Sequence, residues 1–170
     1  KEVSIKKFLN INYNNLQSKS FSNPFDTHKI LENSVKSQMI SDVPLGVFLS
    51  GGVDSSLITA LAQKNSSKKI NSFTIGFEEN EFDEAKYAKE ISRIIGTNHN
   101  EVYFNYDSLS ALIKKMPDMY DEPFADSSQL PTSLLSQITK EKVTVALSGD
   151  GGDELFGGYY RYFLAEKYNN

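Results

Sequence analysis

Along nearly the whole chain, short apolar runs closed by glycine-rich or polar turns alternate with segments of helical period, and few architectures accept that pattern. LGVFLS (45–50) is an apolar run ended by Gly51 and Gly52, after which DSSLITALAQK (54–64) takes up helical spacing. INSFTIGF (70–77), HNEVYF (99–104) and VTVAL (143–147) read as further strands. Helical spacing returns between them in DEAKYAKEISRII (83–95), SLSALIKKM (108–116) and TSLLSQITK (132–140), the last entered through the Pro-bearing loop DEPFADSSQLP. An entry helix is expected from Asp26 to about Ser41, with Ile30, Leu31, Val35, Met39 and Ile40 on helical spacing, and a last helix from about Asp153. Strands alternating with helices imply a parallel sheet covered on both faces. The expected fold is therefore α/β, a Rossmann-like doubly wound parallel sheet in three layers, α/β/α. Residues 1–23 are polar and without sustained period, so they are expected to form an arm or interdomain linker, leaving 24–170 as the folded domain.

Bulk properties narrow the function. With 170 residues, 39% of them hydrophobic, the chain suits one globular domain with a sizeable core. A net charge of −4 argues against a surface built to collect nucleic-acid phosphates. No apolar stretch reaches membrane-spanning length and no signal peptide is legible at the start, so a cytoplasmic protein without membrane partners is expected. Cysteine is absent, which removes disulfides, thiolate metal sites and a cysteine nucleophile. The first residue is Lys1 and the last residues, EKYNN, follow an apparently helical stretch, so the chain is expected to be a piece of a longer protein.

The sharpest local signal is Leu49-Ser50-Gly51-Gly52-Val53-Asp54-Ser55-Ser56, which joins a strand to a helix through residues with little or no side chain. Phosphate can approach such a backbone, where the helix N-terminus offers unpaired N–H groups and a positive partial charge, and the hydroxyls of Ser50, Ser55 and Ser56 could add donors. Neither the Walker spacing nor the dinucleotide GxGxxG spacing is present. A plain tight turn with Asp54 capping the helix is the competing reading. The same device recurs in Leu147-Ser148-Gly149-Asp150-Gly151-Gly152-Asp153-Glu154. There, Asp150, Asp153 and Glu154 crowd together, an arrangement that a cation such as Mg²⁺ bridging phosphate oxygens would relieve. In a doubly wound sheet both loops lie at the carboxyl edge, and placing the first and fourth strands side by side makes them face one another across one site. His28 and His99 lack metal-ligand spacing and are expected to be structural or on the surface.

SGGVDSS resembles the pyrophosphate loop of the adenine nucleotide alpha-hydrolase-like ATP pyrophosphatases. Together with SFTIGF, FDEAKYAKEI, DEPFADSSQLPT and ALSGDGGDELFGGYYRY, it makes the chain from Asp26 to Phe163 resemble the synthetase domain of class B, glutamine-hydrolysing asparagine synthetases. The resemblance implies that the side-chain carboxylate of aspartate attacks the α-phosphorus of MgATP. That step gives β-aspartyl-AMP and pyrophosphate, and ammonia then displaces AMP to form asparagine. It further implies that Ser50, Gly51, Gly52, Asp54 and Ser55 hold pyrophosphate, that Leu49, Ile75, Ser148 and Gly149 contact the adenosine part, and that Asp54 and Asp153 bind Mg²⁺. Asp150 stands where many members carry a glutamate that assists intermediate formation or ammonia attack, which implies a catalytic role for this shorter carboxylate. The loop from Asp121 to Thr132, with Asp126, Ser127 and Ser128, is expected to border the amino-acid substrate. Ammonia in this family comes from glutamine hydrolysed by a preceding, covalently linked glutaminase domain with an N-terminal cysteine, so the share expected of this cysteine-free chain is the synthetase half. The family's domain also continues with a lysine that contacts phosphate.

Other readings share the two glycine loops. A related acyl-adenylating amidotransferase or a β-lactam synthetase-like enzyme would differ only in its acceptor pocket. A nucleotide-binding module without catalysis would keep the loops and lose turnover, and a purely structural αβ domain would leave the acidic loop without a purpose.

Overall fold

The computed structural model describes residues 23–77, 84–122 and 125–168. The expected arm before Asn23, the start of the helix expected from 83, and Pro123 and Phe124 of the Pro-bearing loop lie outside the described residues.

The alternation read from the sequence is present. The elements run α1 (Pro24–Gln38), β1 (Leu45–Phe48), α2 (Val53–Lys64), β2 (Asn71–Phe77), α3 (Ala85–Ile95), β3 (Asn98–Phe104), α4 (Tyr106–Ile113), α5 (Met116–Met119), α6 (Gln129–Lys140), β4 (Val145–Leu147), α7 (Gly152–Phe156) and α8 (Tyr160–Tyr168). The strands form one four-stranded sheet in the order β3-β2-β1-β4, and every pairing is parallel. The chain thus winds outward from β1 to β3, returns across the sheet, and lays β4 on the free side of β1, in register from Leu45 opposite Val145 to Val47 opposite Leu147. Right-handed crossovers put α2 and α3 on one face and send the return connection over the other. In keeping with this, α2 packs on β1 and α3, α3 on β2 and β3, while α6 packs on β2 and α4.

The core beneath the helices is built from Val35, Val47, Leu61, Ala62 and Ile70, with Leu31, Ile58 and Leu147 packed around them. Phe73 and Leu49 are each 1% exposed and are the largest side chains in the fully buried set. Gly46 lets β1 come close to β2: a Cβ there would lie 2.7 Å from a Phe73 ring carbon and 2.9 Å from the Asn71 carbonyl oxygen.

Element ends differ from expectation where proline and glycine decide them. The helix expected over 108–116 starts earlier and stops at Ile113, and a separate turn, α5, follows with Pro117 in its first positions. α6 starts at Gln129 rather than Thr132, because Pro131 falls in the first helical turn, where a missing N–H breaks no helical hydrogen bond. The last helix is two, broken at Gly157, which takes the left-handed conformation at φ 71°.

His99 has the structural role expected of it. Its Nδ1 shares a 2.9 Å hydrogen bond with the buried Ser72 hydroxyl, which also reaches Thr97 Oγ1 at 2.8 Å. Burial holds its pKa below the ordinary value, the nearby Glu101 carboxylate opposing this only in part. The folded-state pKa is therefore the lower one, so the unfolded chain binds the extra proton first as pH falls. The neutral imidazole's contribution to stability is complete above about pH 6.5 and is lost as pH drops towards the folded value. Urea unfolding at pH 7.5 and pH 5 should show a smaller loss of stability for His99→Asn than for the unaltered protein; an equal loss would remove His99 as the cause.

Candidate nucleotide site

The first glycine loop is knitted to itself. Leu49 N–H donates to Phe73 O at 2.9 Å, which ties the strand end to β2. Gly51 sits at φ 90°, the left-handed region that glycine adopts at least cost. The Ser55 hydroxyl accepts from Ser50 N–H at 3.2 Å and donates to Gly52 O at 3.2 Å, so Ser50 Oγ is the donor across its 3.0 Å contact with Ser55 Oγ. Ser56 Oγ also donates to Gly52 O, at 2.6 Å. The serine hydroxyls therefore shape the loop, and the donors left for an anion are the N–H groups of the first turn of α2. The capping alternative does not hold: Gly52 is the N-cap, with no side-chain cap hydrogen bond, and Asp54 lies inside the helix.

The second loop is pressed onto the first. A Cβ on Gly149 would lie 2.9 Å from Ser55 N and 3.1 Å from Asp54 Cβ. The Asp54 carboxylate occupies the space a Gly152 side chain would fill, with its Cγ 2.5 Å from that position, so it sits beside the residue preceding Asp153. Gly151, at φ 91°, is the N-cap of α7. The Ser148 hydroxyl donates to Asp150 Oδ2 at 2.9 Å and receives the Asp150 N–H at 3.4 Å, which orients that exposed carboxylate.

Both loops open into one cleft of about 1080 Å³ at the carboxyl edge of the sheet. Leu49, Ser50 and Gly52 line it from the loop after β1, Asp54 and Ser55 from the start of α2, Ile75 from β2, Ser148, Gly149 and Asp150 from the loop after β4, and Asp153 from α7. Of the residues that the resemblance assigns to nucleotide, metal or catalysis, Gly51 alone is not in the lining; Ser56, Asp126 and Glu154, singled out on other grounds, are also outside it. Gly51 makes the turn and lies under α3, where a Cβ would be 2.8 Å from Tyr87 Cβ. Leu49 meets the cleft while belonging to the core.

The opposite wall includes residues of the loop from Asp121 to Thr132 expected to border the substrate. Ser127, Ser128, Pro131 and Thr132 form it with Leu135, and Phe77 and Glu84 close one end. Asp126 is turned to its own chain, accepting the Ser128 N–H at 2.8 Å and the Ser128 hydroxyl at 2.7 Å, and these bonds hold its carboxyl below the usual range. Asp54, Glu84, Asp150 and Asp153 make the cleft acidic, and among the described residues no lysine or arginine lines it. Among the described residues no group of three or more histidine or carboxylate side chains is placed to hold a metal ion. Asp54 and Asp153 both line the cleft with carboxylates, the hard oxygen donors that Mg²⁺ takes in ones or twos together with substrate phosphates and water.

The family model for asparagine synthase matches residues 26–170, the whole of the sheet and both loops. The chain belongs to the asparagine synthase family. Asparagine synthetase [glutamine-hydrolyzing] 1 of Bacillus subtilis is 34% identical over 161 residues, 95% of this chain and 25% of the relative. A provisionally named asparagine synthetase [glutamine-hydrolyzing] 2 of Methanocaldococcus jannaschii is 46% identical over 132 residues, 77% of this chain and 25% of the relative. Asparagine synthetase B of Escherichia coli is 34% identical over 158 residues, 82% of this chain and 28% of the relative. The chain thus spans about a quarter of the length of these asparagine synthase relatives. Among solved structures, an NH3-dependent NAD synthetase from Campylobacter jejuni and an NMN synthetase from Francisella tularensis each superpose with TM-score 0.57. They are 16% and 19% identical, cover 81% and 83% of this chain, and are themselves covered to 61% and 60%, which establishes the shared fold. Among the described residues no helix is long and apolar enough to cross a membrane.

Proposed function

We propose that this chain is the nucleotide-binding part of a glutamine-hydrolysing asparagine synthetase, acting in the cytoplasm within a longer polypeptide. The observation that carries the reading is the contact between the two glycine loops, with Asp54 set against Gly152 and Asp153 in the same acidic cleft. The β-carboxylate oxygen of aspartate forms a bond to the α-phosphorus of ATP as the bond to the β-phosphate oxygen breaks, releasing pyrophosphate. Ammonia, from a covalently linked glutaminase domain, then attacks the acyl carbon and AMP leaves.

The chain's own residues serve these steps by position. Amide N–H groups at the start of α2, that of Ser55 among them, cradle the leaving pyrophosphate over the turn that Ser50, Gly51 and Gly52 shape. Leu49 and Ile75 flank the adenosine part, with Ser148 and Gly149 beside it. Asp54 and Asp153 would hold Mg²⁺, which when bound neutralises phosphate charge. Asp150, oriented by the Ser148 hydroxyl, takes up a proton from the attacking ammonia at its carboxylate.

The test is pyrophosphate release from MgATP by the full-length protein with ammonia supplied, with and without aspartate. Release that requires aspartate and yields asparagine and AMP in equal amounts is expected. Release that instead follows another carboxylate would indicate a related acyl-adenylating enzyme, and ATP binding without release would indicate a non-catalytic module.

A further inference from the structure

α7 has only five residues, too few to hold a helix without outside ties, yet it carries Asp153. The ties are local. Gly157 and Gly158 both direct their N–H groups to Asp153 O, the latter at 3.0 Å. Tyr159 Oη donates to Glu154 Oε1 at 2.6 Å, joining the residue after the turn to the neighbour of Asp153. The Arg161 guanidinium lies 4.2 Å from the Tyr159 ring centroid, and the Tyr162 ring lies 5.7 Å from it, so the phenol is braced from its other sides. Because the Glu154 carboxylate holds its proton, the Tyr159 pKa is pushed up to about 12, and the donor persists across any working pH.

Gly158 adds a steric condition. A Cβ there would collide with Asp153 Oδ1 and lie 2.9 Å from its Cγ, so the Asp153 carboxylate rests in the space that Gly158 leaves bare. Gly158 has no left-handed φ, so its lack of a side chain answers a need for space. Asp153 and Gly158 both line the cleft.

We propose that Tyr159, tied to Glu154, and the bare backbone of Gly158 form a latch that aims the Asp153 carboxylate into the cleft, with Tyr159 a positioning residue for the metal–nucleotide complex. The inference rests on the reading of Asp153 as a ligand of the ion bound with ATP. Partners that orient a ligand commonly carry ten- to a hundredfold of metal affinity, and a single neutral donor on an exposed loop sits at the low end of that range.

The test is a titration of the full-length protein with Mn²⁺ in the presence of a non-hydrolysable ATP analogue, read by electron paramagnetic resonance of the free ion. Tyr159→Phe and Glu154→Ala should each raise the half-saturating Mn²⁺ concentration about tenfold, while Glu154→Gln, which keeps an acceptor, stays within about twofold of the unaltered protein. In turnover, Tyr159→Phe should raise the KM for Mg²⁺ and leave kcat at saturating Mg²⁺ within about twofold, whereas a general loss of folded protein would lower kcat alone. Gly158→Ala should weaken Mn²⁺ binding at least as much; if it does not fold, the Tyr159 and Glu154 variants decide. Unchanged affinity in Tyr159→Phe and Glu154→Ala, beside an Asp153→Asn variant that loses Mn²⁺, would overturn the latch and leave the ligand reading standing. An Asp153→Asn variant with full affinity would overturn both.

Discussion

Asparagine in place of Asp54 is expected to lower aspartate-dependent pyrophosphate release by about 10²–10³-fold, the effect typical of removing one group that stabilises charge in a reacting site. Asp54 sits in the first turn of α2 with its carboxylate against Gly152, so an isosteric amide keeps the contact between the loops and spares the fold. What the amide cannot do is offset a cation. No lysine or arginine is among the described residues that line the cleft, so on this part of the protein a polyphosphate would meet backbone N–H groups and the ions it brings. A coupled pyrophosphate assay across a Mg²⁺ series, beside thermal unfolding, separates lost chemistry from lost structure. If Asp54 and Asp153 serve one ion, the double Asp54→Asn, Asp153→Asn variant should be little worse than either single variant. Fully additive losses would mean separate roles, and activity within a few-fold of the unaltered protein would remove Asp54 from the site.

The adjacency of β1 and β4 was an assumption added to the doubly wound reading, which the sequence could suggest and not prove, and the sheet order β3-β2-β1-β4 has them side by side. Both loops then fall at the carboxyl edge, because a parallel sheet has only one such edge. The loop from Asp121 to Thr132 was expected beside the substrate, and Ser127, Ser128 and Thr132 do line the cleft; the packing of α6 on β2 that accompanies this is a distant contact that local pattern does not encode. Nor could spacing tell that the Ser55 and Ser56 hydroxyls would spend their hydrogens on Gly52 O. Serines in a glycine loop look equally ready for phosphate or for their own backbone, and only geometry divides the two. Helix ends moved for a related reason. Pro131 reads as a loop residue in sequence but is harmless in the first turn of a helix whose preceding residues, Asp126 to Ser128, have already turned the chain.

Gly51 offers the sharpest test of how the first loop is held. Gly51→Ala should destabilise the domain by about 2–5 kcal/mol, adding about 1–2 kcal/mol for an L-residue in the left-handed region to about 1–3 kcal/mol for overpacking. The second part arises because a Cβ at Gly51 would meet Tyr87 Cβ at 2.8 Å and Ala88 N at 3.0 Å, atoms of α3 that cannot swing aside as a flexible side-chain end could. Gly96 supplies the control: it sits at φ 87°, nearly the same as the 90° of Gly51, but a Cβ there meets nothing within 4 Å. Gly96→Ala should therefore cost only the conformational part, about 1–2 kcal/mol. Urea midpoints for the two variants, measured side by side, isolate the contact between the loop and α3 as their difference. Equal losses would mean that α3 yields freely and that the loop keeps its shape from the Ser50–Ser55–Gly52 hydrogen bonds alone. A larger loss at Gly51 would mean that α3 is a wall against which the phosphate-facing turn is set.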